Sequence, residues 1–359
     1  MRTIVGAILI IMMIQVDACV QPSKDEAKWD SLSPIPDSVG FAGSFAGVSN
    51  GVLIVAGGAN FPDGGAPWTG SVKRWSNRIF VLESPEAEWR PGGLLPDSLG
   101  YGGSVSCNNE LILIGGSNEN GHSTAVIALQ WQGDTVSNRR LPDLPKPMAN
   151  FSSVLLANHI YVAGGISKAD AQQAEANFWR LNLENTEKGW EVLESWPGAP
   201  RMLAVLGVYD NKVYVFSGVE LVNGQRNYLK DGFSFDPSAG WTRIADLPVS
   251  VAAAASPALS TSAGLAVVGG DDGKLAPRAS ALKDKHPGFS NDMLAYSVAE
   301  DRWSSSGQVR IGASADARAR IPVTTTAVVW NNLYVLPGGE VRPAIRTNHV
   351  LAYTFLNQK

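Results

Sequence analysis

Two ionisable residues near the end of the chain have types and a spacing that suit proton transfer beside a bound anion. Glu340 follows Gly338 and Gly339, and Arg346 comes six residues after Glu340. A positioned carboxylate can act as a general acid and base. A guanidinium binds a ligand carboxylate through two parallel hydrogen bonds. The pair therefore predicts a site that anchors a carboxylate and moves protons next to it. A salt bridge at the surface is the structural alternative.

A second pair repeats this spacing elsewhere. Glu220 and Arg226 are also six residues apart, but Glu220 begins one residue later after its glycine stop. The segment also lacks the proline and threonine that accompany Glu340 and Arg346. We therefore expect Glu220 and Arg226 to be solvated or to support the site from outside.

The elements that must position these residues are organised by six glycine stops, 49 to 69 residues apart. Each stop ends a short run rich in β-branched and aromatic residues, which is typical of a buried strand. An asparagine-containing tight turn precedes five of the runs, and a tryptophan often begins a later strand. The stops are Gly57 and Gly58, Gly115 and Gly116, Gly164 and Gly165, Ser217 and Gly218, Gly269 and Gly270, and Gly338 and Gly339.

Four strands in each of six units, without a helical period, predict an all-β, six-bladed β-propeller. The glycine and tryptophan pattern resembles kelch repeats. The last unit has only three strands, whereas residues 28–32 have the pattern of an unpaired strand. We expect this N-terminal strand to complete the C-terminal blade and close the ring.

The longest loops, residues 59–76 and 271–289, follow glycine stops and should lie on the same face as Glu340 and Arg346. Connections between blades reach this face as well. Lys73 and Arg74 are expected to be solvated, and Arg201 has pairing with an acid between blades as its structural alternative. The candidate substrate-binding residues are Phe45, Asn60, Phe61, Tyr101, Asn150, Arg201, Asp271 and Arg320.

Residues 339–347 resemble the active-site segment of the bacterial N-acetylneuraminate epimerases, or sialic acid mutarotases. That family has Gly-Glu, then proline, glycine, an aliphatic residue, arginine and threonine at these offsets, and this chain has Ala344 in place of the glycine. Residues 40–50 and 56–61 also resemble the family. The order is rotated, because Leu141 and Pro142 resemble the start of the related mature chains. The chain is therefore identified as a cyclically permuted member.

The resemblance implies an isomerase that interconverts sialic acid anomers by ring opening. Glu340 is then the acid and base, and Arg346 anchors the carboxylate. A non-catalytic propeller that binds glycan or protein is an alternative. A sialidase-like hydrolase is a weaker one, because only residues 234–241 approach the repeated Ser-x-Asp box of that class.

Composition excludes several other classes. A net charge of -4 provides no basic face for nucleic acid, and four scattered histidines with two cysteines predict neither a metal centre nor a disulfide framework. No cofactor is predicted, and both a monomer and a homodimer remain open. Residues 1–18 have the pattern of a signal peptide, residues 19–27 that of a tether, and residues 28–359 form the propeller. We expect export to the periplasm, with Cys19 either lipidated as a membrane anchor or left by plain cleavage.

Overall fold

Apart from three two-stranded sheets, the structure, a computed structural model that describes residues 28–311 and 320–354, is built of six four-stranded antiparallel sheets. The four-stranded sheets are the blades of a β-propeller, so the predicted fold class is confirmed. The signal peptide and tether predicted for residues 1–27 lie outside the described residues. Within the described part of the chain, no helix has the length and apolar character needed to cross a membrane.

Each blade runs from an inner strand at the central channel to an outer strand at the periphery. Blade 1 consists of Phe45–Ser49, Val52–Ala56, Arg78–Leu82 and Arg90–Leu94. Blade 2 consists of Gly103–Cys107, Glu110–Ile114, Val126–Trp131 and Val136–Leu141. Blade 3 consists of Ser152–Leu156, His159–Ala163, Phe178–Asn182 and Trp190–Leu193.

The second half of the ring repeats this plan. Blade 4 consists of Val205–Tyr209, Lys212–Phe216, Gly232–Asp236 and Gly240–Ile244. Blade 5 consists of Leu259–Thr261, Gly264–Val268, Asp292–Ser297 and Arg302–Gln308. Blade 6 consists of Val328–Trp330, Leu333–Arg342, Ile345–Thr354 and the N-terminal strand Lys28–Leu32.

The N-terminal strand closes the ring as predicted. It pairs antiparallel with the third strand of blade 6, from Lys28 opposite Thr354 to Leu32 opposite Val350. Trp29 is 4% exposed and packs in a core cluster with Leu336. Blade 6 thus combines the first described strand with the last ones, and this pairing closes the ring.

The apolar core lies between blades rather than within any one of them. Six clusters of buried side chains fill the six interfaces between neighbouring blades. Between blades 1 and 2, for example, Phe45, Ile54 and Leu113 pack together. Burial of each large apolar side chain contributes about 1.5–3 kcal/mol, so the closed ring stabilises every blade through both neighbours.

The glycine stops mark the points where the second strand of each blade leaves the sheet. Gly57 and Gly58 have φ angles of 65° and 90°, and a Cβ on Gly57 would lie 2.2 Å from the carbonyl oxygen of Leu99. These positions need glycine because L side chains rarely adopt that conformation and the neighbouring backbone leaves no room. Ser217 is the one residue of the six stops that is not glycine, and it also has a positive φ of 55°.

A closed ring of backbone hydrogen bonds surrounds the channel at its upper end. One residue from each connection between blades donates its N–H to the carbonyl oxygen of the equivalent residue before it, at 2.7 to 2.9 Å, and Gly43 donates to Thr324 to complete the circle. All six residues have positive φ angles of 51° to 66°. The members are Gly43, Tyr101, Asn150, Leu203, Ala253 and Thr324.

Some local expectations differ from the structure. The turn expected at Asn158 and His159 is formed by Ala157 and Asn158, and Ala157 takes the left-handed conformation, with φ 52°. The long loop of blade 5 contains a short α-helix, Ala279–Leu282, between the 3-10 turns Ala276–Arg278 and Lys283–Lys285. Other 3-10 turns are Pro67–Thr69 and Thr186–Lys188. These segments are too short to give the periodicity that identifies a helix from sequence.

Candidate functional site

The residue directly after each glycine stop has the same position in all six blades. It forms a single antiparallel bridge to the connection that enters its own blade, as Val323 does with Glu340. Most of these residues face a cavity above the hydrogen-bonded ring. The six equivalent residues are Ala59, Ser117, Ile166, Val219, Asp271 and Glu340. Blade 6 alone places a glutamate there.

Glu340 and Arg346 face each other on the two long strands of blade 6. The two residues are direct partners in the antiparallel register, so the six-residue spacing is that of a short hairpin. Oε2 of Glu340 lies 2.8 Å from Nη1 of Arg346, and Oε1 accepts a 3.2 Å hydrogen bond from the backbone N–H of Ala344. The Arg346 side chain is 4% exposed and that of Glu340 19%. The carboxylate therefore remains accessible from the cavity.

Three neighbours hold the Arg346 guanidinium from other directions. Nη2 donates to the hydroxyl of Tyr101 at 3.2 Å, and Nε donates to the carbonyl oxygen of Ala59 at 3.4 Å. The ring of Phe61 lies 5.0 Å from the guanidinium carbon. Nη1 is buried without an aligned hydrogen bond, despite its closeness to Glu340. Arg346 is thus fixed in place with donor capacity left for a ligand.

Burial raises the pKa of Glu340 above its ordinary value. The charge of Arg346, the Ala344 N–H and the charges of Lys73 and Arg226 each lower it in part. Burial is the larger effect, so the Glu340 carboxyl gains and loses its proton closer to neutral pH than an exposed glutamate does. That property suits an acid and base catalyst.

Lys73 also reaches the cavity, contrary to the expectation that it is solvated. Its ammonium lies 4.2 Å from the ring centre of Tyr101 and 4.5 Å from that of Trp75. Arg74, between Lys73 and Trp75, is exposed as expected. Burial and the charge of Arg346 lower the pKa of Lys73 to about 8, although Glu340 opposes this effect.

The cavity has a volume of about 660 Å³ and two unlike walls. Its floor is the hydrogen-bonded ring, below which a narrower channel lined by serine, threonine and small residues continues through the propeller. Its polar lining includes Lys73, Tyr101, His122, Asn150, Arg226, Tyr228, Asp271, Glu340 and Arg346. The apolar lining consists chiefly of Ile166, Met202, Leu203, Val219, Leu221 and Ala252.

Glu220 and Arg226 separate in the structure. Glu220 lies one residue beyond the position equivalent to Glu340, and strand alternation turns it away from the cavity. It accepts a 2.9 Å hydrogen bond from Asn227 on the opposite strand of its hairpin. Arg226 pairs in register with Leu221 and lines the cavity. The offset of one residue seen in the sequence therefore places the Glu220 side chain outside the cavity, whereas Glu340 lies inside it.

Five of the ten site residues predicted from sequence line the cavity. These are Glu340, Arg346, Tyr101, Asn150 and Asp271. Asp271 accepts a 2.7 Å hydrogen bond from the hydroxyl of Tyr228, whose pKa is raised to about 12 by burial and by the Asp271 charge. Phe61 contacts Arg346 from behind, as described above.

Arg201 and Phe45 are not placed where a substrate contact requires, which corrects the prediction for both. Arg201 is fully buried, and its guanidinium donates two 2.9 Å hydrogen bonds to Asp231, the structural alternative considered for it. Phe45 is fully buried in the cluster between blades 1 and 2.

The remaining two predicted residues also lie away from the cavity lining. Asn60 is buried and donates a 3.4 Å hydrogen bond to Asp37. Arg320 is exposed.

Sequence reasoning missed His122, Arg226, Tyr228 and Lys73 as cavity residues. His122 ends a two-strand hairpin at the rim, and burial lowers its pKa. Both of its ring nitrogens are buried without a hydrogen-bond partner in the described chain. One signal in the sequence could have identified Lys73. If the loop around it is extended, side chains alternate between two sides, and Lys73 and Trp75 then face the same side. Over residues 28–311 and 320–354, no group of three or more histidine, cysteine or acidic side chains is placed to hold a metal ion.

Comparisons with known proteins bear on the fold and on the family of the chain. The solved structure of YjhT matches with a TM-score of 0.65 at 15% identity, covering 90% of this chain and 97% of that chain, which supports the fold. An N-acetylneuraminate epimerase of Yersinia pestis (strain Pestoides F) is 27% identical over 232 residues, 57% of this chain and 55% of the relative. One from Haemophilus influenzae (strain PittEE) is 37% identical over 120 residues, 30% of this chain and 32% of the relative. The chain thus spans little more than half the length of the Yersinia relative.

The family model described as N-acetylneuraminate epimerase matches residues 15–137 and 141–276. The interruption falls beside Leu141, where the sequence predicts the start of the related mature chains, and the rotated order itself stays a prediction. Residues 339–347 lie beyond both matched segments, so the roles of Glu340 and Arg346 rest on motif and geometry. Because the matched segments cover well over half of its length, the chain belongs to the N-acetylneuraminate epimerase family.

Proposed function

We propose that this protein is an isomerase that interconverts the α- and β-anomers of N-acetylneuraminate through the open-chain ketone. The observation that carries the proposal is the Glu340–Arg346 pair on one wall of the cavity, with an accessible carboxylate and a fixed guanidinium. The sugar acid bears a carboxylate on its anomeric carbon, so one anchor places the reacting atoms beside the pair.

In this mechanism Arg346 binds the substrate carboxylate and Glu340 moves the protons. Glu340 removes the proton of the anomeric hydroxyl while the bond between the anomeric carbon and the ring oxygen breaks and the ketone forms. The ring oxygen receives that proton. Rotation of the chain then presents the other face of the ketone, and the reverse steps close the ring as the opposite anomer. No proton or electron is gained or lost overall.

The environment of Glu340 supports this role. In the free protein its carboxylate is paired with Arg346, and burial already raises its pKa. A substrate carboxylate that takes over the guanidinium brings a second negative charge close to Glu340, and like charges raise a carboxyl pKa further. The apolar wall around Met202, Leu203 and Val219 suits the acetamido methyl group and the carbon face of the sugar.

The test is the rate at which freshly released α-N-acetylneuraminate reaches anomeric equilibrium, followed by proton NMR. We expect Glu340→Gln to slow the catalysed rate by about 100- to 10,000-fold, the usual contribution of a general acid and base. Glu220→Gln is the matched control, because it makes the same change in the homologous hairpin of blade 4, outside the cavity, and should leave the rate unchanged.

Two results would contradict the proposal in different ways. Equilibration by the wild type no faster than in buffer refutes the isomerase and favours a propeller that only binds. A Glu340→Gln variant as fast as the wild type refutes the assignment of Glu340 but leaves the activity standing.

We also propose that the protein acts after export, as a periplasmic or membrane-anchored enzyme. The support is the pattern of residues 1–18 and the cysteine at position 19. Cell fractionation of wild type and Cys19→Ser, each with a C-terminal tag, tests this proposal. Retention of wild type in the cytoplasm contradicts export, and an unchanged membrane fraction in Cys19→Ser contradicts the lipid anchor.

A further inference from the structure

Lys73 is directed into the cavity by the backbone that carries it. Residues 74 and 75 form a short strand paired with Ala59–Asn60, and side chains along such a strand alternate between two sides. Val72 is 60% exposed and Arg74 is exposed, whereas Lys73 and Trp75 face inward. The ammonium of Lys73 is thereby held against two aromatic rings at the wall that carries Arg346.

Tyr101 lies between the two cations Lys73 and Arg346 and contacts both. Its ring face carries the Lys73 ammonium at 4.2 Å from the ring centre, while its hydroxyl accepts the 3.2 Å hydrogen bond from Arg346. Lys73 and Arg346 therefore flank a single tyrosine side chain. An anion that replaces Glu340 at Nη1 of Arg346 would lie on the same side of the cavity as the flexible lysine stem.

The charges that line the cavity leave Lys73 without a partner of its own among the described residues. Lys73, Arg226 and Arg346 all lower the pKa of Glu340, but the Glu340 carboxylate is paired with Arg346. Glu119 and Asp271 also line the cavity, and Asp271 accepts a hydrogen bond from Tyr228. Lys73 forms no hydrogen bond or ion pair with the residues that the structure describes, and its aromatic contacts satisfy a cation only in part. Lys73 and Arg346 also repel each other. A negative charge placed between them would attract both.

We infer that Lys73 is a second cationic contact for the anionic end of the substrate and acts together with Arg346. The inference rests on the proposed function, from which it takes N-acetylneuraminate as the ligand. It also implies that binding changes the protonation of the site, because a lysine that meets an anion holds its proton more tightly.

The direction of this linkage follows from the groups around Lys73. The charged or titratable neighbours are Arg346, Glu340, Tyr101 and His122. In the free protein the pKa of Lys73 is lowered to about 8 by burial and by Arg346. At pH 8.5 most Lys73 side chains are therefore neutral, and binding of the sugar acid should draw in about half a proton or more per site.

The experiment is calorimetric titration with equilibrated N-acetylneuraminate at pH 8.5, in two buffers with different ionisation enthalpies. The wild type should show the proton uptake. Lys73→Met keeps the length and aromatic packing of the stem but loses the charge, and should bind about 10-fold or more weakly, as expected for loss of a charged contact. Lys73→Arg keeps the charge without titrating, and should retain affinity within about threefold but show no such uptake.

Arg74→Met is the matched control, since it removes the same charge from the adjacent, exposed position and should bind like the wild type. Wild-type affinity in Lys73→Met, or proton uptake in Lys73→Arg as large as in the wild type, would overturn the inference while leaving the isomerase intact. No binding by the wild type would overturn both. A loss in Arg74→Met equal to that in Lys73→Met would show a long-range charge effect and also overturn it.

Discussion

The buried pair of Arg201 and Asp231 gives a sharp test of where the substrate does not bind. Arg201 donates to both carboxylate oxygens of Asp231 at 2.9 Å and to the carbonyl oxygens of Ser217 and Ala199 at 3.0 and 3.2 Å. Its guanidinium also lies 5.4 Å from the ring of Phe233. Arg201→Met leaves the carboxylate and two carbonyl groups without their donor.

Breaking a buried ion pair by removing one partner typically costs about 3–5 kcal/mol. For a domain of this size, that loss lowers the melting temperature by about 4–7 °C. Calorimetric or circular dichroism melting of Arg201→Met should show the drop, and Asp231→Asn combined with it should recover part of the loss. Arg243→Met is the control, because Arg243 and Asp246 form an exposed pair, and such pairs contribute little to stability.

The same variant separates structure from binding. Well below its melting temperature, Arg201→Met should equilibrate sialic acid anomers at the wild-type rate, since the guanidinium points into the fold. A variant that melts like the wild type but binds N-acetylneuraminate more weakly would refute this reasoning and return Arg201 to the site.

Two further predictions concern stability. Trp29→Ala should destabilise the propeller by about 3–5 kcal/mol, because it empties a core position in the strand that closes the ring; a melt unchanged from that of the wild type would show that closure does not depend on this strand. Lys73→Met should be more stable than the wild type at pH 7 by about 1–3 kcal/mol after solvent screening, because the folded protein holds this proton less tightly than the unfolded chain does. The gain in the free energy of unfolding should shrink as the pH rises from about 8 toward 10.5, the ordinary pKa of lysine. Denaturant melts at several pH values measure it. A gain that persists at high pH, or a loss of stability at pH 7, would contradict the prediction.

The ring closure and the proximity of Glu340 to Arg346 could be predicted because the strand and hairpin patterns that indicate them are local. Positive φ angles select glycine at the stops, so the strand count follows from the sequence. The position of Glu340 directly after its stop, against the offset of Glu220, distinguishes the two hairpins by strand alternation alone.

The rest of the cavity depends on contacts between distant segments. The left-handed residue of each connection is Gly43, Tyr101, Asn150, Leu203, Ala253 or Thr324, and these residue types share nothing that a sequence pattern can detect. Without that reference point, the sequence does not distinguish Tyr101, which lines the cavity, from Arg201, which lies in the interior. The orientation of Lys73 likewise requires the pairing of Arg74 with Asn60.

The hydrogen-bonded ring around the channel has a consequence for biosynthesis. Its sixth member, Thr324, contributes two bonds at once, as donor to Ala253 and as acceptor from Gly43, and it is translated after the other five members. Until then the nascent chain is an open arc whose terminal blades expose apolar faces, and strand Lys28–Leu32 has no partner until residues 345–354 are made. Exposed apolar surface and unpaired strands favour aggregation, and late long-range pairing slows folding. We therefore expect newly made chains to depend on chaperones until residues 345–354 have been made and have paired with the N-terminal strand.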